Sequence, residues 1–100
     1  MVIRTESGAA YQAEIRTASN GPRLFVRKDG WPEAVPAVGI FPDRLPYLMA
    51  TLKVVWDGRQ AIGLNARGTV TLRVQPTKVL RGMILANRRG LRSTRIVRIG

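Results

Sequence analysis

The stretch YQAEIRTASNGPRLFVRK, residues 11–28, decides how this chain folds. Its apolar residues Tyr11, Ala13 and Ile15 alternate with polar ones, and this period of two is typical of a half-buried β-strand. An Asn-Gly pair follows, which tolerates positive φ in a tight turn. RLFVRK, residues 23–28, then supplies a return strand, so the stretch predicts a β-hairpin.

Segments beyond this hairpin predict further strands. Residues 37–41 and 69–75 have strand patterns, and the more uniformly apolar residues 79–86 are typical of a central strand. Residues 91–99 are expected to close a second hairpin with 79–86. Residues 31–36 contain two prolines, so they are expected to form a loop or an irregular edge.

One segment has the period of a helix instead. It follows Asp43, a candidate helix N-cap. Its apolar residues form one continuous helical stripe: Leu45, Leu48, Met49, Leu52, Val55 and Trp56. The sequence therefore predicts an α+β fold in a single domain over residues 1–100. A strongly bent antiparallel sheet or small barrel of about six strands is expected, with one amphipathic helix near residues 44–56.

The basic residues are distributed unevenly along the chain. The net charge is +11, from 17 basic and 6 acidic residues. All six acidic residues lie within residues 1–57, whereas residues 58–100 carry nine arginines, Lys78 and no acid. This one-sided excess is typical of a protein that binds a polyanion. The expected partner is nucleic acid, with an acidic protein surface as the alternative.

The residue types present do not favour catalysis. The chain has no histidine and no cysteine, which removes the commonest general base and the thiol nucleophile. The carboxylates have no spacing that suggests acid–base work or metal ligation: Glu6, Glu14, Asp29, Glu33, Asp43 and Asp57. We expect a protein that is not an enzyme and that has neither a cofactor nor a metal site.

Arginine and aromatic side chains are the candidates for contacting nucleic acid. Guanidinium groups match phosphate geometry and stack on bases, and aromatic rings are platforms for unpaired bases. Phe25, flanked by Arg23 and Arg27 on one strand face, is either such a platform or a core or dimer-interface residue, and the second role is favoured. Trp31 is expected to be exposed in its loop.

The carboxyl-terminal segment NRRGLRSTRIVRIG, residues 87–100, has five arginines and no acid. Strict alternation places Ile96 and Arg98 on one basic face of a strand. The arginines of this segment are expected to contribute far more to binding than Arg4 and Arg16. The candidate nucleic-acid-binding residues are Arg23, Phe25, Arg27, Lys28, Trp31, Arg73, Arg81, Arg88, Arg89, Arg92, Arg95 and Arg98.

A known family has a similar arrangement of elements. RLFVRKDG at residues 23–30 has the pattern of a basic strand, VGIF at 38–41 that of a glycine-containing strand, and the helical stripe follows directly. Over residues 23–52 the chain resembles the single-stranded-DNA-binding domain of the positive-cofactor-four transcriptional coactivators. The resemblance implies a homodimer whose curved sheets grip unpaired strands, with contacts from Arg23, Arg27 and Lys28. The chain differs in continuing for more than forty residues after the helix.

The same element order also fits an oligonucleotide-binding barrel, in which a helix sits between the third and fourth strands. Either fold implies largely sequence-independent binding of single-stranded DNA or RNA, in transcription, replication or DNA processing. The alternative is a phage- or plasmid-type interaction module that docks on an acidic host protein. The first residues lack the apolar core of a signal peptide, and no stretch approaches the length of a membrane span. A cytoplasmic location without membrane contact is expected.

Overall fold

Every regular element that the structure describes is a β-strand. The structure is a computed structural model that describes residues 1–19, 21–43, 54–56, 60–65, 68–87 and 89–100. The strands are β1 (Val2–Thr5), β2 (Ala10–Ala18), β3 (Gly21–Lys28), β4 (Val35–Pro36), β5 (Val38–Ile40), β6 (Val54–Trp56), β7 (Gln60–Asn65), β8 (Gly68–Arg73), β9 (Ile84–Ala86) and β10 (Ile96–Ile99).

The strands form three antiparallel sheets. The largest has five strands in the order β10-β1-β2-β3-β4, so the first and last strands lie side by side. β5 pairs with β9, and β6, β7 and β8 form a consecutive meander. Five neighbouring strands are enough to bury one face against a core and leave the other face outward.

The hairpin predicted from residues 11–28 is confirmed. β2 and β3 pair in continuous register from Tyr11 opposite Lys28 to Ala18 opposite Gly21. Gly21 has a φ of +106°, which a side-chain-bearing residue rarely adopts, so the Asn-Gly pair was a valid turn signal. The short strand predicted at residues 37–41 is also present, as β5.

The predicted amphipathic helix near residues 44–56 is wrong where the structure describes it. Val54–Trp56 is strand β6, paired with β7, and residues 44–53 lie outside the described residues. Val54 and Val55 are β-branched, so a helix restricts their χ1 angles and a strand does not. The Asp57-Gly58 pair that follows in the sequence is typical of a hairpin turn. The described chain is therefore all-β, not α+β, and it has ten strands rather than about six.

The second predicted hairpin is also corrected. Residues 79–86 contribute only β9, Ile84–Ala86, and its partner strand is β5. Between β9 and the segment after it, the ladder is reduced to an isolated bridge from Ala86 to Arg92. The chain then changes partner, because β10 pairs with β1.

A bulge in β10 changes which side chains point outward. Arg98 lies opposite Arg4, but Ile96 lies opposite Thr5, the next residue of β1. Val97 is therefore an extra residue, and such a bulge interrupts the alternation of faces. Ile96 is buried and Arg98 is exposed, so the prediction that they share a face is wrong.

The core lies on the inner face of the five-stranded sheet. Its largest fully buried side chains are Ile3, Leu24, Val26, Leu85 and Ile96. They come from β1, β3, β9 and β10, so sealing this core requires the pairing of β10 with β1. Burying one aliphatic side chain of this size stabilises the fold by roughly 1.5–3 kcal/mol.

Gly39 of β5 occupies a position with no room for a side chain. A Cβ atom there would lie 2.8 Å from the Lys78 carbonyl oxygen and 3.0 Å from the Met83 sulfur. Gly39→Ala should therefore lower the free energy of unfolding by about 1–3 kcal/mol, the usual effect of overpacking. Urea denaturation measures this, with Gly100→Ala as the control because a Cβ at Gly100 meets nothing within 4 Å. Equal stability of the two variants would contradict the tight packing of β5.

Candidate nucleic-acid interface

One face of the five-stranded sheet collects arginines from four strands. Register and alternation place these arginines on the side opposite the core. We define the arginine face by seven side chains: Arg4, Glu14, Arg16, Arg23, Phe25, Arg27 and Arg98. Five arginines against one carboxylate leave this face with a formal charge of +4. The sheet thus presents four exposed guanidinium groups on one surface. The fifth arginine, Arg23, is half-buried, and its Nε atom is buried.

Only part of the arginine face was predicted. Arg23, Arg27 and Arg98 were candidate binding residues, and the structure places all three on it. Arg4 and Arg16 were expected to contribute little. The register puts Arg4 directly opposite Arg98 and Arg16 directly opposite Arg23. The alternation of Arg4 and Arg16 with apolar neighbours was the signal that could have identified their outward direction.

Arg4 and Arg98 form a like-charged pair across neighbouring strands. Such a pair destabilises a sheet, because the two charges face each other at close range. A shallow pocket of about 250 Å³ lies at this position, lined by Val2, Arg4, Arg98 and Gly100. No aspartate or glutamate is among the lining residues that the structure describes. A phosphate bound there would offset the repulsion between the two guanidinium groups.

Phe25 belongs to the arginine face and is not part of the core. Of the two roles favoured from the sequence, the core role is excluded, and the dimer-interface role stays a prediction. Its side chain is half-buried. The guanidinium carbon of Arg16 lies 4.8 Å from the centroid of its ring, a cation–π contact. Arg16 also forms an exposed ion pair with Glu14, which contributes little to stability. The face therefore has a half-buried aromatic ring with the Arg16 guanidinium lying over it.

A second cationic feature lies beside the sheet. We call it the Trp31 groove, a cleft of about 440 Å³ whose lining includes Trp31, Val35, Asn87, Arg89, Leu91 and Arg92. The lining residues that the structure describes combine apolar surface with two exposed guanidinium-bearing side chains, and none of them is an aspartate or glutamate. Three of these residues, Trp31, Arg89 and Arg92, were predicted to bind nucleic acid.

Trp31 is less exposed than the sequence indicated. It is half-buried, it packs against the core, and its ring lies 5.8 Å from that of Tyr11 at an interplanar angle of 70°. This edge-to-face geometry is favourable for aromatic pairs. Burial raises the pKa of the Tyr11 hydroxyl, which keeps that group uncharged at neutral pH. The indole is thus fixed on its core side and available on its groove side.

Asn87 holds the turn that carries Arg89 and Arg92. Its amide Nδ2 donates to the Pro36 carbonyl oxygen at 2.9 Å, and its Oδ1 accepts from the backbone N–H groups of Arg89 and Leu91 at 2.9 and 3.0 Å. These contacts engage both the oxygen and the nitrogen of the amide, and they leave one of its two N–H donors without a partner among them. The amide ties the turn to β4, on the same side of the groove as Val35.

Arg27 links the two features. Its side chain belongs to the arginine face, and its Nε donates to the Trp31 carbonyl oxygen at 2.9 Å. The guanidinium group therefore lies at the junction between the arginine face and the Trp31 groove. A bound chain that crosses from one to the other would pass this cation.

Three other predicted residues, Lys28, Arg81 and Arg95, are not brought to either feature. Lys28 lies opposite Tyr11, so its register position is on the core face of the sheet, at the strand end. Arg81 and Arg95 are exposed in loops outside the strands. Arg73 ends β8, and Arg88 lies outside the described residues. The carboxyl-terminal arginines that the structure describes thus lie on separate surfaces.

Neither a metal-ion site nor a membrane-spanning helix is present among residues 1–19, 21–43, 54–56, 60–65, 68–87 and 89–100. No group of three or more acidic side chains is placed to hold a metal ion in these ranges. No helix in the described part of the chain has the length and apolar character needed to cross a bilayer.

Comparison with known proteins finds no match: no family model, no curated protein and no solved structure is significantly similar to this chain. The resemblance to the coactivator domain therefore stays a prediction.

The like-charged pair Arg4 and Arg98 is expected to lower the stability of the fold. Arg4→Gln should raise the free energy of unfolding by about 0.2–1 kcal/mol at low salt, because it relieves the repulsion with Arg98. The gain should vanish in about 1 M salt, where the Debye length is near 3 Å. Urea denaturation of Arg4→Gln and of Arg95→Gln distinguishes repulsion within the Arg4–Arg98 pair from repulsion due to the overall positive charge. An equal gain for Arg95→Gln would argue against a specific effect.

Proposed function

We propose that this protein binds single-stranded nucleic acid, DNA or RNA, through the arginine face and without catalysing a reaction. The single observation that carries the proposal is the convergence of five arginines with Phe25 on one outward sheet face. Guanidinium groups neutralise phosphates, and an aromatic ring stacks on an unpaired base whatever its sequence. The biological setting we propose is transcription, replication or DNA processing in the cytoplasm.

Unpaired strands suit this surface better than a duplex does. Reading a duplex usually requires a helix or a two-stranded ribbon that enters the major groove. The arginine face is a broad sheet surface, and its aromatic residue lies between cations. Such a ring is useful only when bases are free to stack on it. Contacts of this kind give little sequence preference.

The proposal is tested by titrating a fluorescently labelled (dT)12 at several salt concentrations. Four or five phosphate contacts predict that log K falls with log[salt] at a slope of about −3, since each contact on a single strand contributes about 0.7. The same titration with an RNA of equal length distinguishes the two nucleic acids. Absence of binding at low salt would sink the proposal.

An acidic protein surface is the competing partner. Polyglutamate of matched length tests it, because it has carboxylates but neither phosphates nor bases. Under the proposal it should bind more weakly than (dT)12 at every salt concentration, since it offers nothing to stack on Phe25. Equal binding would favour the docking module instead.

The homodimer is a separate part of the proposal. It rests on the resemblance to the coactivator domain. Sedimentation equilibrium of the protein without nucleic acid measures it directly, and a purely monomeric protein at micromolar concentration would contradict it.

A further inference from the structure

We propose that the Trp31 groove holds one unstacked base of the bound strand, with the adjoining phosphates on Arg89 and Arg92. This inference rests on the proposed function and adds a second, physically different subsite. The arginine face would hold backbone and stack a base on Phe25, and the groove would hold a further base. The occupant is thus a nucleotide unit of a single strand, not an extended peptide.

The lining of the groove matches the two halves of a nucleotide. Trp31, Val35 and Leu91 provide apolar surface for a flat ring, and Arg89 and Arg92 are exposed cations at the same cleft. A volume of about 440 Å³ lies within the range of small-ligand sites. An aliphatic side chain of a partner protein would use the apolar part but leave both guanidinium groups without an anion.

The indole is held ready for stacking. Tyr11 contacts it edge-on, and Arg27 holds its backbone through the 2.9 Å bond to the Trp31 carbonyl oxygen. These contacts fix the ring before any ligand arrives, so little conformational entropy is lost when a base stacks on it. The position of Arg27 also places a phosphate contact beside the groove.

The groove should not distinguish one base from another. Among the lining residues that the structure describes, Asn87 alone has a side-chain amide. Both ends of that amide are already bonded within the protein. Its oxygen is therefore engaged, and at most one N–H remains to contact a base edge. Stacking on an aromatic ring is tolerant of base identity, so the groove is expected to accept adenine, cytosine and thymine alike.

Tryptophan fluorescence tests the inference directly. The chain has two tryptophans, so in Trp56→Phe the emission reports Trp31 alone. (dT)12 should quench this emission, whereas an abasic 12-mer with the same phosphates should bind, by anisotropy of a labelled copy, without quenching it. Binding of (dT)12 with unchanged Trp31 emission would overturn the groove and leave the arginine face standing. Failure of both oligonucleotides to bind would overturn both proposals.

A second variant avoids dependence on Trp56→Phe. Trp31→Leu keeps an apolar side chain but removes the stacking ring, so affinity for (dT)12 should fall by about 5- to 140-fold. Affinity for the abasic 12-mer should be unchanged, which also shows that the variant is folded. An equal loss for both oligonucleotides, or a preference above tenfold for one base among (dA)12, (dC)12 and (dT)12, would contradict the inference.

Discussion

Replacing Arg4, Arg27 and Arg98 together by glutamine should lower the affinity for (dT)12 by about 100-fold at 0.1 M salt. Each phosphate contact on a single strand adds about 0.7 to the salt slope. At 0.1 M salt, losing three contacts therefore costs about two log units relative to 1 M, and the slope should fall by about 2. Fluorescence anisotropy across a salt series measures both quantities in one experiment.

The matched control removes the same charge from another place. Lys78, Arg81 and Arg95 are exposed and lie in loops outside the arginine face. Replacing these three by glutamine lowers the net charge of +11 equally, but it should reduce affinity by less than about fivefold, the effect of one contact at 0.1 M salt. Equal losses in the two triple variants would mean that overall charge, and not the arginine face, attracts the strand.

Local pairing was readable from the sequence, and distant pairing was not. The β2–β3 hairpin joins neighbouring residues through a recognisable Asn-Gly turn, so pattern and turn chemistry agree. β1 and β10 are four-residue strands at opposite ends of the sequence. A four-residue strand has too few alternations of apolar and polar residues to be recognised reliably. Its pattern also does not indicate which other strand it pairs with.

The helix error has a similar cause. A stripe of apolar residues at helical spacing fits a helix, but short strands that bury both faces contain the same residues. Val54–Trp56 forms a strand and not a helix. Pairing with β7 stabilises the strand at these residues. The spacing of apolar residues in the sequence contains no information about that pairing.

Charge along the sequence was an incomplete guide to charge on the surface. Four of the five arginines on the arginine face, Arg4, Arg16, Arg23 and Arg27, come from the half of the chain whose net charge is only +1, seven basic against six acidic residues. Antiparallel pairing brings them beside Arg98. A sheet gathers residues by register, so a surface can be strongly basic where no segment of the sequence is.

The side chains of Leu24 and Phe25 should give opposite results when each is replaced by alanine. Leu24 is fully buried in the core, whereas Phe25, the next residue of β3, lies on the arginine face. Leu24→Ala should lower the free energy of unfolding by about 2–5 kcal/mol, through lost burial and the cavity left behind. Phe25→Ala should lower it by about 1 kcal/mol or less, mainly through the lost contact with Arg16.

Binding should respond in the reverse order. Phe25→Ala removes the ring on which a base stacks, so the affinity for (dT)12 should fall by about 5- to 140-fold. Leu24→Ala leaves the arginine face unchanged in the molecules that are folded. Its affinity at low temperature, corrected for the folded fraction from the same urea curves, should match the unaltered protein. If Leu24→Ala weakened binding as much as Phe25→Ala did, the two faces of β3 would not have the separate roles that the register assigns to them.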